Sequence, residues 1–557
     1  MLKTKIVSSL ARAFVDSNID DFTALERISA LKGERISFQL IHQRIMEPGE
    51  SIYAFREVFT PKFSGKLAKY ITVREVKNVG VELPVIVGET DDNYERTAPG
   101  LYPDVLTPMH YGGKTIAKIA FPTSIWVDVT IPEDAKEIGE SEIKVEMIDE
   151  GGAVKSENTL TVDLIDAVLP EQKLLLTQWF HCDSLAHYYN VDVWSEKHWE
   201  IVENFARVAH KNGINLLLTP TFTPPLDTQI GGERLTNQLV EVTVTDGKYS
   251  FGFDLVDRWV DMCDRIGIKY LEIAHMFTQW GAKHAPKIMA TVDGEYKKIF
   301  GWETDATSKE YVGFLREFIP AFLEHMKKNG NDKRCFFHIS DEPQMEHIDF
   351  YRAAKNSIED LLEGYVIMDA LSDYDFWQLG IVNLAIPCND HIKPFIENNV
   401  PGLWTYYCCG QRVDVSNRLI SMPSWRNRSI GMQMYKYDIV GFLHWGYNFY
   451  NNQFSVDQIE PYTDLSGEHW VPAGDPFSVY PSQSGEALES IRIVVFHDAL
   501  QDMRAMQLCE SLYSKDEVVA EIEKVFGKTI TFDTCAKSEE VMLAIRERIN
   551  EMIKAKI

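Results

Sequence analysis

From residue 173 onward, apolar segments that read as β-strands alternate with helical segments, and this alternation limits the possible folds more than any other feature. The eight strand-like segments are 173–180, 215–222, 269–276, 334–340, 365–371, 381–387, 402–407 and 439–447. Eight such units within about 250–400 residues are typical of a (β/α)8 barrel of the TIM type. An open doubly wound sheet is the rival fold, and we disfavour it because no glycine-rich turn follows the first strand. The sequence therefore predicts a (β/α)8 barrel over residues 169–515.

Residues 1–168 have a different pattern. Short segments such as RISFQLIHQ, YITVREV and TSIWVDVTIP alternate apolar and polar residues with a period of two, and Gly, Pro, Asp and Asn separate them. This pattern predicts an antiparallel β-sandwich. Residues 516–557 are charged with one apolar helical face, which predicts a C-terminal helical extension packed on the barrel. Since 557 residues exceed one ordinary core, we expect a multidomain β plus α/β protein.

The charge balance limits the classes of partner that the chain is expected to bind. The chain has 56 Lys and Arg against 83 Asp and Glu, a formal charge of −27, which argues against nucleic acid and anionic membranes because both require a basic face. No segment approaches the roughly 20 apolar residues that span a bilayer. Charges begin within the first residues, so no signal-peptide core is expected and the predicted location is the cytoplasm. The eight cysteines form no CxxC pair, so reduced thiols and no zinc site are expected.

Two adjacent acids end the fourth strand of the predicted barrel, in the stretch RCFFHISDEPQ, residues 334–344. By strand alternation Ser340 and Glu342 face the barrel interior, whereas Asp341 would face the helices. An unpaired charge buried there is costly, so we expect the strand to end near Ser340 and Pro343 to turn the chain. Both acids then reach the open mouth, where barrel enzymes carry their chemistry. The alternative is an acidic pair favoured only by the dipole of the following helix.

Aromatic and polar side chains recur at the other predicted strand ends. The candidates for ligand binding are Trp179, His181, His275, His338, Trp404, Tyr406, Tyr407, Trp445, Tyr447 and Asn448. Aromatic planes beside hydrogen-bonding groups suit a sugar, whose C–H faces stack on rings while its hydroxyls need polar partners. Each residue alone is also compatible with an ordinary place in the core. A metal hydrolase is less favoured because these histidines lack HxH or HExxH spacing, so no metal ligand and no cofactor are predicted.

Four ordered motifs resemble glycoside hydrolase family 123, and the resemblance runs over most of residues 1–515. They are the Asp-Glu-Pro at the fourth strand, FTQWGAKHAPKI at 277–288, KKIFGWETDATS at 297–308 and SIRIVVFHDALQDM at 490–503. The resemblance implies an exo-acting β-N-acetylgalactosaminidase with a retaining, substrate-assisted mechanism. The last motif departs from the common pattern, since Ile493 to Val495 stand where an acidic residue is expected, although Arg492 and Asp502 match.

Adjacent acids suit this mechanism. A two-carboxylate retaining enzyme holds its acids about 5–5.5 Å apart on opposite sides of the scissile carbon, which sequence neighbours cannot easily do. In the implied mechanism Glu342 is the general acid and base, with a pKa raised by apolar neighbours and by Asp341. Asp341 orients the substrate's acetamido group, whose oxygen attacks the anomeric carbon and forms an oxazoline.

Three other functions remain open from the sequence. A β-N-acetylglucosaminidase with the same mechanism is the nearest, because the contacts that distinguish the two sugars are not evident in the sequence. A carbohydrate-binding protein without activity, with the sandwich as its recognition module, is another. A metal hydrolase is the least favoured. The expected partner is an oligosaccharide with a terminal β-linked N-acetylhexosamine.

Overall fold

The computed structural model describes residues 1–50, 56–109, 112–226 and 231–557. In the described part of the chain up to residue 168, ten strands are present. They are β1 Leu2–Ser8, β2 Arg27–Lys32, β3 Arg35–Arg44, β4 Arg56–Ser64, β5 Ile71–Val81, β6 Gly100–Pro108, β7 Thr115–Lys118, β8 Thr123–Thr130, β9 Gly139–Asp149 and β10 Val154–Val168.

These strands form two five-stranded sheets, with orders β1-β3-β8-β5-β6 and β2-β10-β9-β4-β7. Side chains of alternate residues, such as Leu40, Ile125 and Val145, share one buried core. Period-two alternation therefore turns one face of each sheet inward, as the sequence indicates. The pairs are antiparallel except β2 with β10, which is parallel.

Fourteen further strands are present in the described residues after 168. They are β11 Leu175–Gln178, β12 Leu216–Thr219, β13 Glu241–Thr245, β14 Lys248–Gly252, β15 Tyr270–Ile273, β16 Ile288–Val292, β17 Glu295–Phe300, β18 Cys335–Phe337, β19 Val366–Ala370, β20 Leu384–Ile386, β21 Trp404–Tyr406, β22 Gly441–His444, β23 Val479–Pro481 and β24 Ala487–Glu489. The eight predicted strand segments correspond to β11, β12, β15, β18, β19, β20, β21 and β22, and all eight pair in parallel.

Helices lie between most of these parallel strands and form the C-terminal part of the chain. They are α1 Cys182–Tyr188, α2 Glu196–Lys211, α3 Asp254–Ile266, α4 Lys309–Lys328, α5 Ile348–Asn356, α6 Tyr374–Gln378, α7 Lys393–Glu397, α8 Ser424–Arg428, α9 Ile430–Lys436, α10 Ile491–Leu512, α11 Lys515–Phe526 and α12 Glu539–Lys554. The hydroxyls of Ser195, Ser308 and Ser490 cap α2, α4 and α10, because each accepts an N–H from the first turn of its helix. Among the described residues, no helix is both long enough and apolar enough to cross a membrane.

The parallel strands form two hydrogen-bonded sheets. One has the order β11-β22-β21 and the other β12-β15-β18-β19-β20. The sheets adjoin where the Asn215 N–H donates to the Leu176 carbonyl at 3.1 Å and where Cys388 lies beside Tyr406. The Leu176 N–H donates to the Asn215 side chain at 2.8 Å. A side-chain oxygen therefore takes the place that a backbone carbonyl has in a regular strand pair. A mixed β and α/β architecture is thus confirmed. The eight parallel strands of the described chain are hydrogen-bonded as two sheets that meet at these two edges, and a complete (β/α)8 barrel stays a prediction.

Alternate residues of β18 separate two layers of core. Phe336 packs with Trp179, Leu218 and Met368 between the parallel strands. Phe337 and Ile339 belong to the large core shared with the surrounding helices. The alternation predicted for this strand is therefore observed. It determines which side chains face the space between the parallel strands and which face the helices.

Buried ion pairs connect helix α10 to the rest of the molecule. Arg492 donates to Asp104 of β6 at 3.0–3.1 Å, and also to the carbonyl of Gly474. Asp502 accepts hydrogen bonds from Arg428 at 2.7 and 2.9 Å. Arg492 and Asp502, the two residues of this helix that match the family motif, therefore connect the helix to neighbouring parts of the fold.

Helix α12 continues this network. Arg546 bridges Asp502, at 3.1 Å, and Glu34, in the turn between β2 and β3, at 2.8 Å. Since all three side chains are buried, the C-terminal helix is bonded to both preceding parts of the chain.

A buried acid beside this network, Asp498, makes stability depend on pH. Burial raises its pKa to about 7, against the opposing charges of Arg428 and Arg35. The unfolded-state pKa is near 3.8, so the folded protein loses stability as pH rises from about 4 to 7. We expect Asp498→Asn to raise the melting temperature at pH 8 and to change it little at pH 4, as measured by thermal unfolding. A control, Asp502→Asn, should lower it at both values because two arginines lose a partner. Equal shifts at both pH values for Asp498→Asn would contradict the assignment.

Candidate active site

The end of strand β18 is held by a buried carboxylate. Asp369, on neighbouring β19, accepts the backbone N–H groups of Ile339 at 3.1 Å and Ser340 at 3.3 Å. The Ser340 hydroxyl donates to the carbonyl of Thr278 at 2.8 Å. The backbone immediately before Asp341 is therefore fixed from two sides.

The next two residues turn sharply. The Trp280 N–H donates to the Asp341 carbonyl at 2.9 Å, which ties the turn to the loop after β15. Glu342 has a φ of +45°, in the left-handed region that residues other than glycine seldom adopt. Such a conformation costs about 1–3 kcal/mol and is concentrated at functional sites. The turn brings both acids to one cavity although strand alternation would separate them.

This cavity, which we call the aromatic cavity, has a volume of about 210 Å³. Four tryptophans and a tyrosine form much of its wall, and its polar groups are carboxylates, an amide and thiols. The lining consists of Trp179, Gln279, Trp280, Asp341, Glu342, Ala370, Tyr406, Cys408, Cys409, Leu443, Trp445 and Trp470. Flat rings around a few convergent polar groups are the arrangement that a sugar ring requires.

The Glu342 carboxyl has a raised pKa. Burial raises the pKa of its carboxyl, a hydrogen bond from the Tyr406 hydroxyl to Oε1 at 2.5 Å lowers it, and the negative charge of Asp475 raises it further. The net shift is upward, so the neutral acid persists to higher pH than an exposed glutamate would allow. The sequence did not indicate the contribution of Asp475, and an effect of Asp341 on the pKa of Glu342 stays a prediction.

A chain of buried charges lies beneath the aromatic cavity. His338 contacts Glu272 at 2.7 Å and Asp369 at 3.3 Å. Glu272 also accepts the indole N–H of Trp179 at 2.8 Å and the hydroxyl of Thr177. Burial alone lowers the pKa of His338, but its hydrogen bonds to Asp369 and Glu272 outweigh this and raise the pKa to about 9. The imidazolium therefore joins the strand end to a tryptophan of the cavity wall.

Two clusters have the side chains that metal ions use. In the first, His275 stacks on His338 at 4.1 Å with an angle of 17° between the rings, so in-plane lone pairs of the two rings do not converge on one ion. The second consists of Cys388, Asp390 and His391, where His391 already bonds Asp390 at 2.8 Å. Neither cluster lies in the aromatic cavity, and the absence of a metal from the reaction stays a prediction.

Three of the ten predicted binding residues, Trp179, Tyr406 and Trp445, line the aromatic cavity. His338 lies below it, and His275 packs between His338 and Trp179, with its ring nitrogens unbonded to any described residue. Trp404 is buried against Gly441, where any side chain would meet its ring.

The remaining four serve the surrounding structure. His181 bonds the carbonyl of Trp445 at 2.8 Å, and the Asn448 side chain accepts the His181 N–H at 2.9 Å. The hydroxyl of Tyr407 reaches Asn427 at 3.1 Å, on the helix side of its strand. Tyr447 stacks on Phe180 outside the lining of the cavity.

The aromatic cavity has lining residues that are not among the ten predicted binding residues. Gln279 and Trp280 lie in the motif FTQWG, and the aromatic residue at the end of the third predicted strand was the signal for Trp280. Trp470 comes from the loop beyond β22, where no strand or helix pattern indicates which way a side chain points. Asp475, in the same loop, accepts the indole N–H of Trp445 at 2.7 Å and so holds another wall residue.

Comparison with known proteins relates this site to glycoside hydrolases. Residues 179–509 match the family model described as the catalytic domain of glycoside hydrolase 123. A solved structure of a family 123 glycoside hydrolase from Clostridium perfringens, analysed for glycolipid glycan hydrolysis, is 14% identical with a TM-score of 0.74. The match covers 100% of this chain and 98% of that chain, and it shows a common fold.

Other solved glycosidases are more distant. A family 2 member from Bacteroides cellulosilyticus is 10% identical, with a TM-score of 0.26 and coverage of 74% of this chain and 44% of that chain. A family 5 mannosidase from Rhizomucor miehei is 12% identical, with a TM-score of 0.33 and coverage of 60% and 93%. No sequence among the curated proteins matches this chain.

The charge on His338 should make the free energy of unfolding depend on pH. Its folded pKa of about 9 exceeds the ordinary histidine value of 6.5, so its contribution is complete below pH 6.5 and is lost as pH rises to about 9. This corresponds to about 3 kcal/mol. We expect the free energy of unfolding to fall across that window in the wild type and to fall less in His338→Gln, as measured by urea unfolding. Parallel curves for the two proteins would show that His338 is neutral.

Proposed function

Since this chain belongs to glycoside hydrolase family 123, we propose that it removes terminal β-linked N-acetylgalactosamine from glycans as an exo-acting, retaining hydrolase. The observation that carries the proposal is the pair of adjacent acids, Asp341 and Glu342, on one turn of an aromatic cavity. A glycan substrate also agrees with the Clostridium perfringens relative, which was studied for glycolipid glycan hydrolysis.

Glu342 is the proposed acid and base. Its carboxyl protonates the glycosidic oxygen as the bond from that oxygen to the anomeric carbon breaks, and the leaving group departs as an alcohol. The resulting carboxylate then takes a proton from water, which attacks the anomeric carbon. The raised pKa of Glu342 supports this order because the carboxyl must start neutral. General acid help of this kind contributes about 10²–10⁴ in rate.

The nucleophile in this proposal comes from the substrate. Among the described residues that line the aromatic cavity, Asp341 and Glu342 are the only carboxylates, and they leave one turn side by side. A protein nucleophile on the opposite face of the sugar, as in two-carboxylate retaining enzymes, therefore has no counterpart there. The acetamido oxygen attacks instead and closes an oxazoline, while Asp341 accepts the acetamido N–H and stabilises the positive charge that develops on the ring.

The tryptophans would hold the sugar during these steps. Trp179 and Trp445 are themselves fixed by indole hydrogen bonds to Glu272 and Asp475, at 2.8 and 2.7 Å. Such preorganised walls restrict the sugar to one orientation, so that the acetamido group meets Asp341 and the glycosidic oxygen meets Glu342.

Substrate assistance makes a clear prediction for chromogenic glycosides. We expect the nitrophenyl β-N-acetylgalactosaminide to be hydrolysed and the β-galactoside, which has no acetamido group, to be inert. Glu342→Gln and Asp341→Asn should each lower kcat by about 10²-fold or more. Glu346→Gln is a matched control, because this glutamate is exposed and follows on the same loop. Comparable rates on the β-galactoside would exclude the mechanism, and a faster β-N-acetylglucosaminide would reassign the sugar.

The Tyr406 hydrogen bond predicts a change in pH profile. Because the bond favours ionised Glu342, Tyr406→Phe removes an influence that lowers the pKa of Glu342. Activity requires the protonated acid, so the basic limb of kcat/KM should move to higher pH. Tyr447→Phe serves as the control, since its hydroxyl bonds the Phe205 carbonyl outside the cavity lining. A basic limb that stays in place in Tyr406→Phe would assign that limb to another group.

A further inference from the structure

Three side chains on the loop after β20, those of Cys388, Asp390 and His391, form a cluster outside the lining of the aromatic cavity. The thiol sulfur, a carboxylate oxygen and an imidazole nitrogen all lie within 4.8 Å of one another. Nδ1 of His391 is 3.3 Å from Sγ of Cys388 and 2.8 Å from an oxygen of Asp390. Three different donor atoms are therefore gathered around one small space by a stretch of four residues, CNDH.

The backbone holds this arrangement. Cys388 lies beside Tyr406 of β21 in a parallel bridge, and the Asn389 N–H donates to the Tyr406 carbonyl at 2.9 Å. The His391 N–H then donates to the Cys388 carbonyl at 3.0 Å and closes a four-residue turn. Because the turn begins on a sheet, the positions of the sulfur and the imidazole are largely fixed by the fold.

We propose that Cys388, Asp390 and His391 bind a zinc ion. Thiolate, imidazole and carboxylate are the ligand types of zinc sites in proteins, whereas Mg²⁺ and Ca²⁺ take oxygen ligands. Three protein ligands leave the fourth position of a tetrahedral ion to water. The sequence favours no zinc site because a CxxC pair is absent, but a C-x-D-H turn needs only one cysteine.

The distances between the donor atoms are close to those that zinc requires. With bonds of about 2.3 Å to sulfur and about 2.0 Å to nitrogen and oxygen, a tetrahedral ion places sulfur and nitrogen about 3.5 Å apart. The same geometry places nitrogen and oxygen about 3.3 Å apart. The observed separations are 3.3 and 2.8 Å, so small side-chain rotations would admit the ion.

Neighbouring polar groups hold two of the three ligands. The Ser372 hydroxyl accepts the Cys388 N–H at 3.1 Å and lies 2.9 Å from Sγ, so its proton can be donated to a thiolate. The Gln411 amide donates to the two oxygens of Asp390 at 3.1 and 3.3 Å. Such outer hydrogen bonds orient metal ligands, and their loss typically weakens metal binding by about 10–100-fold.

Charge and access also favour a divalent cation. The negative charges of Asp390 and Glu342 both act on the Cys388 thiol. When zinc binds, the thiol proton leaves to solvent, and the thiolate and carboxylate together balance the charge of the ion. Cys388 is buried, but the side chains of Asp390 and His391 are 32% and 62% exposed, so the ion can enter from the surface.

The test uses Co²⁺, which absorbs light when it replaces zinc on a thiolate. The reduced, chelator-treated full chain is titrated with Co²⁺, and we expect a thiolate-to-cobalt charge-transfer band that saturates at one equivalent. Zn²⁺ should displace the cobalt and Mg²⁺ should not. Cys388→Ser should abolish the band, and His391→Ala and Asp390→Asn should each weaken cobalt binding at least about tenfold. The last two residues are partly exposed, so these variants should fold.

Two controls locate the site. His469→Ala should leave cobalt binding unchanged, because this histidine is 60% exposed and also contacts an acid, Glu82, elsewhere on the surface. Cys409→Ser should keep the band, whereas its loss there together with its retention in Cys388→Ser would move the site to the adjacent Cys408 and Cys409 and overturn the inference. No thiolate band in the wild type, or unchanged affinity in His391→Ala, would also overturn it. The readout does not involve hydrolysis, so its outcome is independent of the proposed function.

Discussion

The carboxylate of Asp369 is the contact on which the site depends. It accepts two backbone N–H groups at the end of β18 and lies against the charged His338, which in turn bonds Glu272. Buried charges are costly unless they are paired and hydrogen-bonded, and this group satisfies that requirement by linking three neighbouring parallel strands. Strand ends that would otherwise move independently are thereby fixed relative to one another. The strained turn at Glu342 can persist because the backbone before it is held so firmly.

The cavity walls rely on the same kind of pairing. Trp179 and Trp445 are large apolar rings, yet each has its indole N–H on a buried carboxylate. Those carboxylates, Glu272 and Asp475, do more than orient rings, since Asp475 also raises the pKa of Glu342. Asp475 therefore both holds a tryptophan of the cavity wall and raises the pKa of Glu342, so a change at this residue should affect both.

The sequence predicted the elements better than the site. Apolar runs, and their alternation with helical segments, located all eight parallel strands. Strands that are buried on both faces consist almost entirely of apolar residues, so they are easy to find in a sequence. Asp341 and Glu342 stood out because charges rarely end an apolar strand without a reason. Tyr407 and Tyr447 lie outside the lining of the aromatic cavity, since at a strand end a small change in backbone direction decides which way a ring faces. Trp470 and Asp475 come from a long loop, whose path depends on tertiary contacts that no local pattern encodes.

The ion pair between Arg492 and Asp104 has a consequence for how such a chain is divided. Both side chains are buried, one in the region matched by the family model and the other in the N-terminal sheets. Excising the matched region would remove both the counter-ion of Arg492 and part of the structure that buries it, so this contact between the two regions would be lost as a whole. Glu34 and Arg546 impose the same condition on the C-terminal helix. The buried ion pairs therefore make the folded state of each part depend on the others, and the chain should be expressed and purified as a single piece.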